Sequence, residues 1–269
     1  MHICNVYVYV YVYVYYLEGV FMKILAIINQ KGGVAKTTTA AAIGTGLAAR
    51  GYKVLFVDMD TQGNLTAAVG ASKQENTVFE LLTGQATVPQ TTSQSDILPS
   101  SPALATADMV ITQTGKEYRL QEALSAFSSS YDFAIVDTPP ALGILTVNAL
   151  TAASAALVPA QADFFSLQGI SQLYNTVDAV RKYCNPALKI AGILLTRYNP
   201  RAVLSREVRD LLEQTAADLH TQLYKTVIRE CMALKEAQAR RQSIFRYAPR
   251  SNGAKDYDAL INEILEKGI

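Results

Sequence analysis

Eight residues, Lys31 to Thr38, read KGGVAKTT. Lysines, glycines and threonines at this spacing can hold a phosphate chain. Glycine lets backbone approach an anion closely. N–H groups at a helix N-terminus favour negative charge. Lys36 is placed to bring a point charge to the β- and γ-phosphates, and the Thr37 hydroxyl to ligate Mg²⁺. An ordinary phosphate loop, G-x-x-x-x-G-K-[ST], has one lysine. Here Gln30 and Ala35 stand at its two glycine positions, and Lys31 adds a second cation before Gly32-Gly33. The Ala35 methyl is tolerated if its φ is negative. The backbone N–H groups from Gly33 through Val34 and Ala35 to Thr38 are expected to face the anion.

Three carboxylates fit the same chemistry. Asp58 and Asp60 lie in VDMDTQGN, and Asp137 in IVDTPP. Each follows a short apolar run, and ligands of open α/β sheets bind outside the carboxyl ends of strands. Asp137 suits the holding of a metal-bound water. Asp58 or Asp60 can orient an attacking water, as hydrolysis requires.

The elements that must position these groups follow from periodicity. Continuous apolar runs at Ile24 to Ile28, Lys53 to Asp58, Phe133 to Asp137, Ala155 to Pro159 and Ile190 to Leu195 read as buried strands. Helices are expected at Thr38 to Arg50, Val78 to Leu82, Tyr118 to Phe127, Ser166 to Cys184, Leu204 to His220 and Ala254 to Lys267. Thr83 to Ser95, rich in Thr, Gln and Ser, reads as an exposed loop. This alternation predicts an α/β fold: a mostly parallel twisted sheet with helices on both faces.

Composition sets outer bounds. The chain has 269 residues, 50% apolar and 17% charged, with net charge +1. One domain over residues 22–269 is the simplest reading. Cys4, Cys184 and Cys231 have no metal or redox spacing and suit reduced thiols in a cytoplasmic protein. No run of about twenty apolar residues spans a membrane. Residues 1–21 contain VYVYVYVYVYY, an aggregation-prone alternation without the basic start of a secretory signal. Met22 opens the first buried strand, so this extension is expected outside the fold.

Together, KGGVAKTT, VDMDTQGN and IVDTPP resemble the deviant Walker A ATPases, and within them the ParA/Soj partition ATPases. The likeness runs from Met22 almost to the C-terminus. It includes VFELLTG (Val78 to Gly84), ILPSSPAL (Ile97 to Leu104), VPAQADFFSLQG (Val158 to Gly169), TRYNPR (Thr196 to Arg201) and YAPRSNGAKDY (Tyr247 to Tyr257). The resemblance implies a P-loop NTPase fold, ATP and Mg²⁺ as cofactors, and a homodimer formed with ATP. It implies that Lys31 reaches across to the partner's phosphates, as an arginine finger does. By the same likeness Lys31, Lys36 and Asp60 are catalytic, and Thr37, Asp60 and Asp137 serve the metal. Lys31 through Thr38, Asp58 and Arg229 would contact nucleotide. One departure is IRECMALKEA, Ile228 to Ala237, where the family often has Ile-Pro-Arg-Asn. Arg229 takes the Pro position and Cys231 the Asn position, leaving a backbone contact at Arg229.

Residues 197–250 hold eleven Lys and Arg against six acids, a net of +5, with −4 elsewhere. Such asymmetry is the footprint of a phosphate-binding face. The family binds nonspecific double-stranded DNA as an ATP dimer, and Arg209, Lys235, Arg240 and Arg241 are the candidates here. A ParB-like centromere-binding partner and a nucleoid-associated location are also implied. Thirty residues precede Lys31, too few for the DNA-reading domain of the longer partition ATPases. The alternative is a MinD-like membrane-associated positioning ATPase. Its basic terminal amphipathic helix is not matched by the acidic ending DYDALINEILEKGI, so no membrane partner is expected.

Overall fold

Strand β1 (Lys23–Ile27) leads into the glycine loop and helix α1 (Lys36–Ala49), the first unit of a parallel sheet in this computed structural model. The structure describes residues 22–72 and 75–268. The expectations for residues 1–21 lie outside the described residues. Next come β2 (Val54–Asp58), α2 (Asn64–Val69), α3 (Val78–Leu82), β3 (Gln90–Thr91) and β4 (Asp96–Leu98). Then α4 (Ala107–Val110) and α5 (Arg119–Ser125) precede β5 (Phe133–Asp137), α6 (Ile144–Ala152) and β6 (Ala155–Gln161). The chain closes with α7 (Phe164–Tyr183), β7 (Lys189–Thr196), α8 (Val203–Asp218), α9 (Met232–Ala239), α10 (Ile244–Tyr247) and α11 (Asn252–Glu266).

Among the described residues seven strands form one sheet in the order β3-β4-β2-β5-β1-β6-β7, and only the β3–β4 pairing among them is antiparallel. Thus Thr83 to Ser95, expected as loop throughout, contains a two-residue edge strand. Polar Gln90 and Thr91 lack the apolar pattern that marks a strand in sequence.

Strand residues alternate between two cores. Ala26, Leu55, Val57, Ala134 and Val136 face α3, α5, α6, α7 and α8. Leu25, Ile27, Phe56, Phe133 and Ile135 face α1, α2, α9, α10 and α11. Burial on both faces explains the uninterrupted apolar runs, each Leu or Ile contributing about 1.5–3 kcal/mol.

Helix α1 is enclosed on both sides through two glycines. A Cβ on Gly44 would stand 2.1 Å from Phe56 of β2, and one on Gly46 would stand 2.2 Å from Ile261 of α11. Two residues turn a helix by about 200°, so these glycines look opposite ways.

The β7 edge is also covered. Ile193 N–H donates to the Gln222 carbonyl at 2.8 Å, Tyr224 N–H to Ile193 at 2.9 Å, and Ile228 N–H to Leu195 at 2.8 Å. Gly192, at φ +150°, permits this: its Cβ would lie 2.9 Å from the Gln222 carbonyl oxygen. The strip delivers Ile228 and Arg229 to the strand ends where the site lies.

Candidate nucleotide site

The chain leaves β1 toward β2 on one side of the sheet, and leaves β5 toward β6 on the other. Right-handed crossovers in opposite directions put α1 and α6 on opposite faces and open a crevice at the β1/β5 strand ends. The loop Lys31 to Thr38 sits there.

Side chains from elsewhere hold this loop by its carbonyls. Lys36 Nζ donates to the Lys31 carbonyl at 3.2 Å, Gln161 Nε2 to Gly33 at 2.7 Å, and Thr196 Oγ1 to Val34 at 3.0 Å. In a planar trans peptide the N–H points opposite to its C=O. Anchoring these three carbonyls therefore turns the N–H groups of Gly32, Val34 and Ala35 the other way. Asn29 stiffens the entry, donating to the Pro159 carbonyl at 2.7 Å and accepting from Lys31 N–H at 2.9 Å. Ala35 is the N-cap of α1 and gives no side-chain cap, so the first N–H groups of the helix remain for an anion.

Its φ corrects an expectation. Ala35 lies at +66°, left-handed, not at the negative φ that would make its methyl harmless. Gly33 at +77° is the ordinary occupant of such backbone. The loop keeps the shape a glycine would take and bears the strain.

The carboxylates converge as the strand-end reading anticipates. Register puts Asp137 directly beside Asp58 on β2 and beside Ile27 on β1. Asp58 is buried, accepting from Thr66 N–H and Oγ1, each at 2.7 Å, and from Asp60 N–H at 3.2 Å. Burial pushes its carboxyl up to about 6, against the Thr66 bonds. Asp58 is thus occupied in tying β2 to α2. Asp60 is buried at the cleft and accepts from Gln62 N–H at 3.0 Å. Burial and then the Asp58 charge push Asp137 well above the ordinary carboxylate range. Its two oxygens are buried and close no hydrogen bond, although Thr37 lies near. Burial lowers the Lys36 ammonium, opposed by Asp137 and Asp60. One cation and two acids therefore share this pocket.

These groups fit a hard cation. Among the described residues no cluster of three His, Cys, Asp or Glu forms a metal cage. Mg²⁺ rarely uses one; it keeps waters and takes one or two carboxylates plus phosphate oxygens. The unpartnered oxygens of Asp137 match water ligands of such an ion.

The loop opens into a cleft of about 660 Å³ lined by Gly32, Gly33, Lys36, Thr37, Thr38 and Asp60, with Ile228 to Cys231 on the far rim. That volume suits a small-molecule ligand. An AAA-domain family model matches residues 22–190. The chain is 41% identical over 254 residues to the sporulation initiation inhibitor protein Soj of Bacillus subtilis, covering 91% of this chain and 99% of that one. The chain belongs to the ParA/Soj family of P-loop ATPases. The chromosome partitioning protein ParA of Caulobacter vibrioides is 36% identical over 256 residues, covering 91% and 95%. Cobyrinic acid a,c-diamide synthase from Mycobacterium smegmatis, with bound ATP analogue and magnesium, superposes with TM-score 0.77 at 34% identity, covering 91% and 95%.

Against the ParA/Soj pattern, the far rim is rebuilt. Arg229 N–H donates to Asp256 at 3.0 Å, and its guanidinium forks onto the same carboxylate at 2.6–3.2 Å. The Arg229 N–H is therefore spent, and the backbone contact left for a nucleotide is its carbonyl. Cys231 lines the cleft as the N-cap of α9 without capping it. The basic candidates divide. Lys235, Arg240 and Arg241 lie on α9 and its end, and Lys235 and Arg241 line the cleft itself. Lys235 pairs with Glu230 at 3.4 Å, and Arg240 sits over the Tyr247 ring at 5.6 Å. Arg209 is on α8, which packs against α7 and β7 instead. Sequence reasoning missed Asn29 and Thr196, and the resemblance places Gln161 in or near a switch segment without its hold on the loop. Each works through a backbone carbonyl, which has no motif.

Proposed function

We propose that this chain is an ATP-dependent partition ATPase that moves a DNA cargo by cycling on and off nonspecific duplex DNA. The supporting observation is a phosphate loop that opens with a second lysine, Lys31, and lines one cleft through Gly32, Gly33, Lys36 and Thr37 together with Asp60, with the Asp137 charge acting on Lys36 from behind. The name of the chromosome partitioning protein ParA, 36% identical to this chain, supports partition as the purpose.

The loop N–H groups take the triphosphate. Lys36, buried behind the loop, places its charge at the β- and γ-phosphates. Thr37 and Asp137 would hold Mg²⁺, Asp137 through water, with Asp60 at its edge. When bound, such an ion would supply positive charge that neutralises the charge developing on the phosphates. Asp60 orients the attacking water. Lys31 comes from the partner protomer, so the γ-phosphate is read by two chains and nucleotide state becomes assembly state. The ATP dimer presents two copies of the basic 197–250 region to DNA. A ParB-like partner stimulates hydrolysis, and the ADP form releases. This cycle belongs to a cytoplasmic, nucleoid-associated protein. Among the described residues no helix is long and apolar enough to cross a membrane.

The test is binding of the full chain to nonspecific duplex DNA with ATP, with ADP and without nucleotide, at two salt concentrations. Salt-sensitive binding with ATP alone is expected. Nucleotide binding with no DNA binding in any state overturns the partition cycle and retains the ATPase.

A further inference from the structure

The end of β6 and the N-cap of α7 grip the phosphate loop at two points. Gln161 holds the Gly33 carbonyl at 2.7 Å, and Asp163 is ion-paired with Lys31. Asp163 is also the N-cap of α7. Its Oδ1 accepts from Ser166 N–H at 3.1 Å and from Ser166 Oγ at 3.2 Å. Its other oxygen, Oδ2, takes Lys31 Nζ. One carboxylate thus joins the extra lysine to the head of a 20-residue helix. A cap alone needs only Oδ1, so the second contact is not explained by helix ending.

The contact points Lys31 at its own chain. A lysine in that position is not offered to another molecule's phosphate. We propose that Asp163 is a positioning residue that holds Lys31 in cis until phosphate charge competes for it. The proposal rests on the trans role of Lys31 given above and adds the group that withholds it.

The chemistry suits a reversible hold. The two side chains are 30% and 31% exposed, and pairs of that kind are weak. A triphosphate carries several negative charges against the single charge of Asp163, so it wins the ammonium when it arrives. Partial burial works against the Asp163 charge, yet Lys31 and the Ser166 donors hold its carboxyl below the usual range. Releasing Lys31 leaves Asp163 to the cap alone. Gln161 at the end of β6 still holds the Gly33 carbonyl.

Asp163→Asn tests this, because asparagine caps as well as aspartate and lacks the charge. Two readouts are taken on the full chain: acylation of Lys31 by an amine reagent without nucleotide, mapped by mass spectrometry, and the ATP concentration giving half-maximal dimerisation. Expected are faster labelling of Lys31 and an ATP midpoint about two- to fivefold lower. In a Lys31→Gln background the ATP effect of Asp163→Asn vanishes. Asp163→Ser, another capping residue, reproduces Asp163→Asn if charge is what matters. Unchanged labelling overturns the proposal, as does a midpoint shift that survives Lys31→Gln. Faster labelling with an unmoved midpoint keeps the cis hold and overturns the trans role of Lys31.

Discussion

Ala35 shows how the loop spends stability. A left-handed backbone costs an L-residue about 1–2 kcal/mol, and the loop pays this at φ +66°. Ala35→Gly removes the clash and adds about 0.4–1 kcal/mol of unfolded-chain entropy. The net expectation is a nucleotide-free chain more stable by about 0.5–1 kcal/mol, read from urea unfolding. Lys31 carries the chemical prediction. Lys31→Gln is expected to bind ATP and lose hydrolysis by at least about 10³-fold, the scale of an arginine finger. Hydrolysis that persists in this variant defeats the trans-lysine account. At this scale type and spacing single out Lys36, Thr37 and Asp137 for the proposed chemistry, while the parts given to Lys31 and Asp60 rest on the family resemblance. The tilt of Ala35 was not legible, because φ depends on where the Gly33 and Val34 carbonyls are held by Gln161 and Thr196.

Helix α1 illustrates what a glycine does inside an element. Gly44→Ala drives a methyl into the fully buried ring of Phe56, a clash the ring cannot rotate away from. Overpacking of about 1–3 kcal/mol exceeds the helix-propensity gain of about 1 kcal/mol. Gly46→Ala meets the end of the Ile261 side chain at 2.2 Å and the edge of the Phe245 ring at 2.8 Å; an isoleucine end can turn where a ring cannot, so it should cost less. Thermal unfolding of both variants checks the order. Glu263 of α11 pins the chain that leads to the far rim of the cleft. It accepts from Lys225 and Thr226 N–H at 3.2 and 3.1 Å, and from Lys267 at 2.8 Å. Burial pushes its carboxyl up, but Lys267 and the two N–H groups outweigh this and hold it below its ordinary value. A depressed carboxyl stabilises the fold above its unfolded pKa and loses that contribution as pH falls through the folded value. Glu263→Gln is therefore expected to be about 1–2 kcal/mol less stable at pH 7, with the deficit shrinking below about pH 4.5. A deficit constant with pH sinks this reading. Buried strands were legible because burial on both faces leaves continuous apolar runs. Strand β3 and helix α9 were not, since Gln90-Thr91 and MALKEAQA owe their form to the neighbours they pack on.

The whole molecule is nearly neutral, yet its charge is divided, +5 over residues 197–250 and −4 elsewhere. Arg209 on α8 and Arg240 beyond α9 are the better tests of a DNA face, because Lys235 and Arg241 line the nucleotide cleft. If Arg209 contacts phosphate in an ATP dimer, Arg209→Ala removes two contacts at once. The slope of log affinity against log salt should flatten by about 1.8. An unchanged slope removes Arg209 from that face. The sheet carries one more consequence. Among the described residues its outer margins are both blunted: a short strand of two residues ends the sheet beyond β4, and the strip from Gln222 to Arg229 lies along β7. A long row of unpaired N–H and C=O groups is a template on which a second copy can stack as amyloid does. If the proposed cycle of pairing and release holds, such a template could not be left open, since growth there would not reverse once the ATP is hydrolysed.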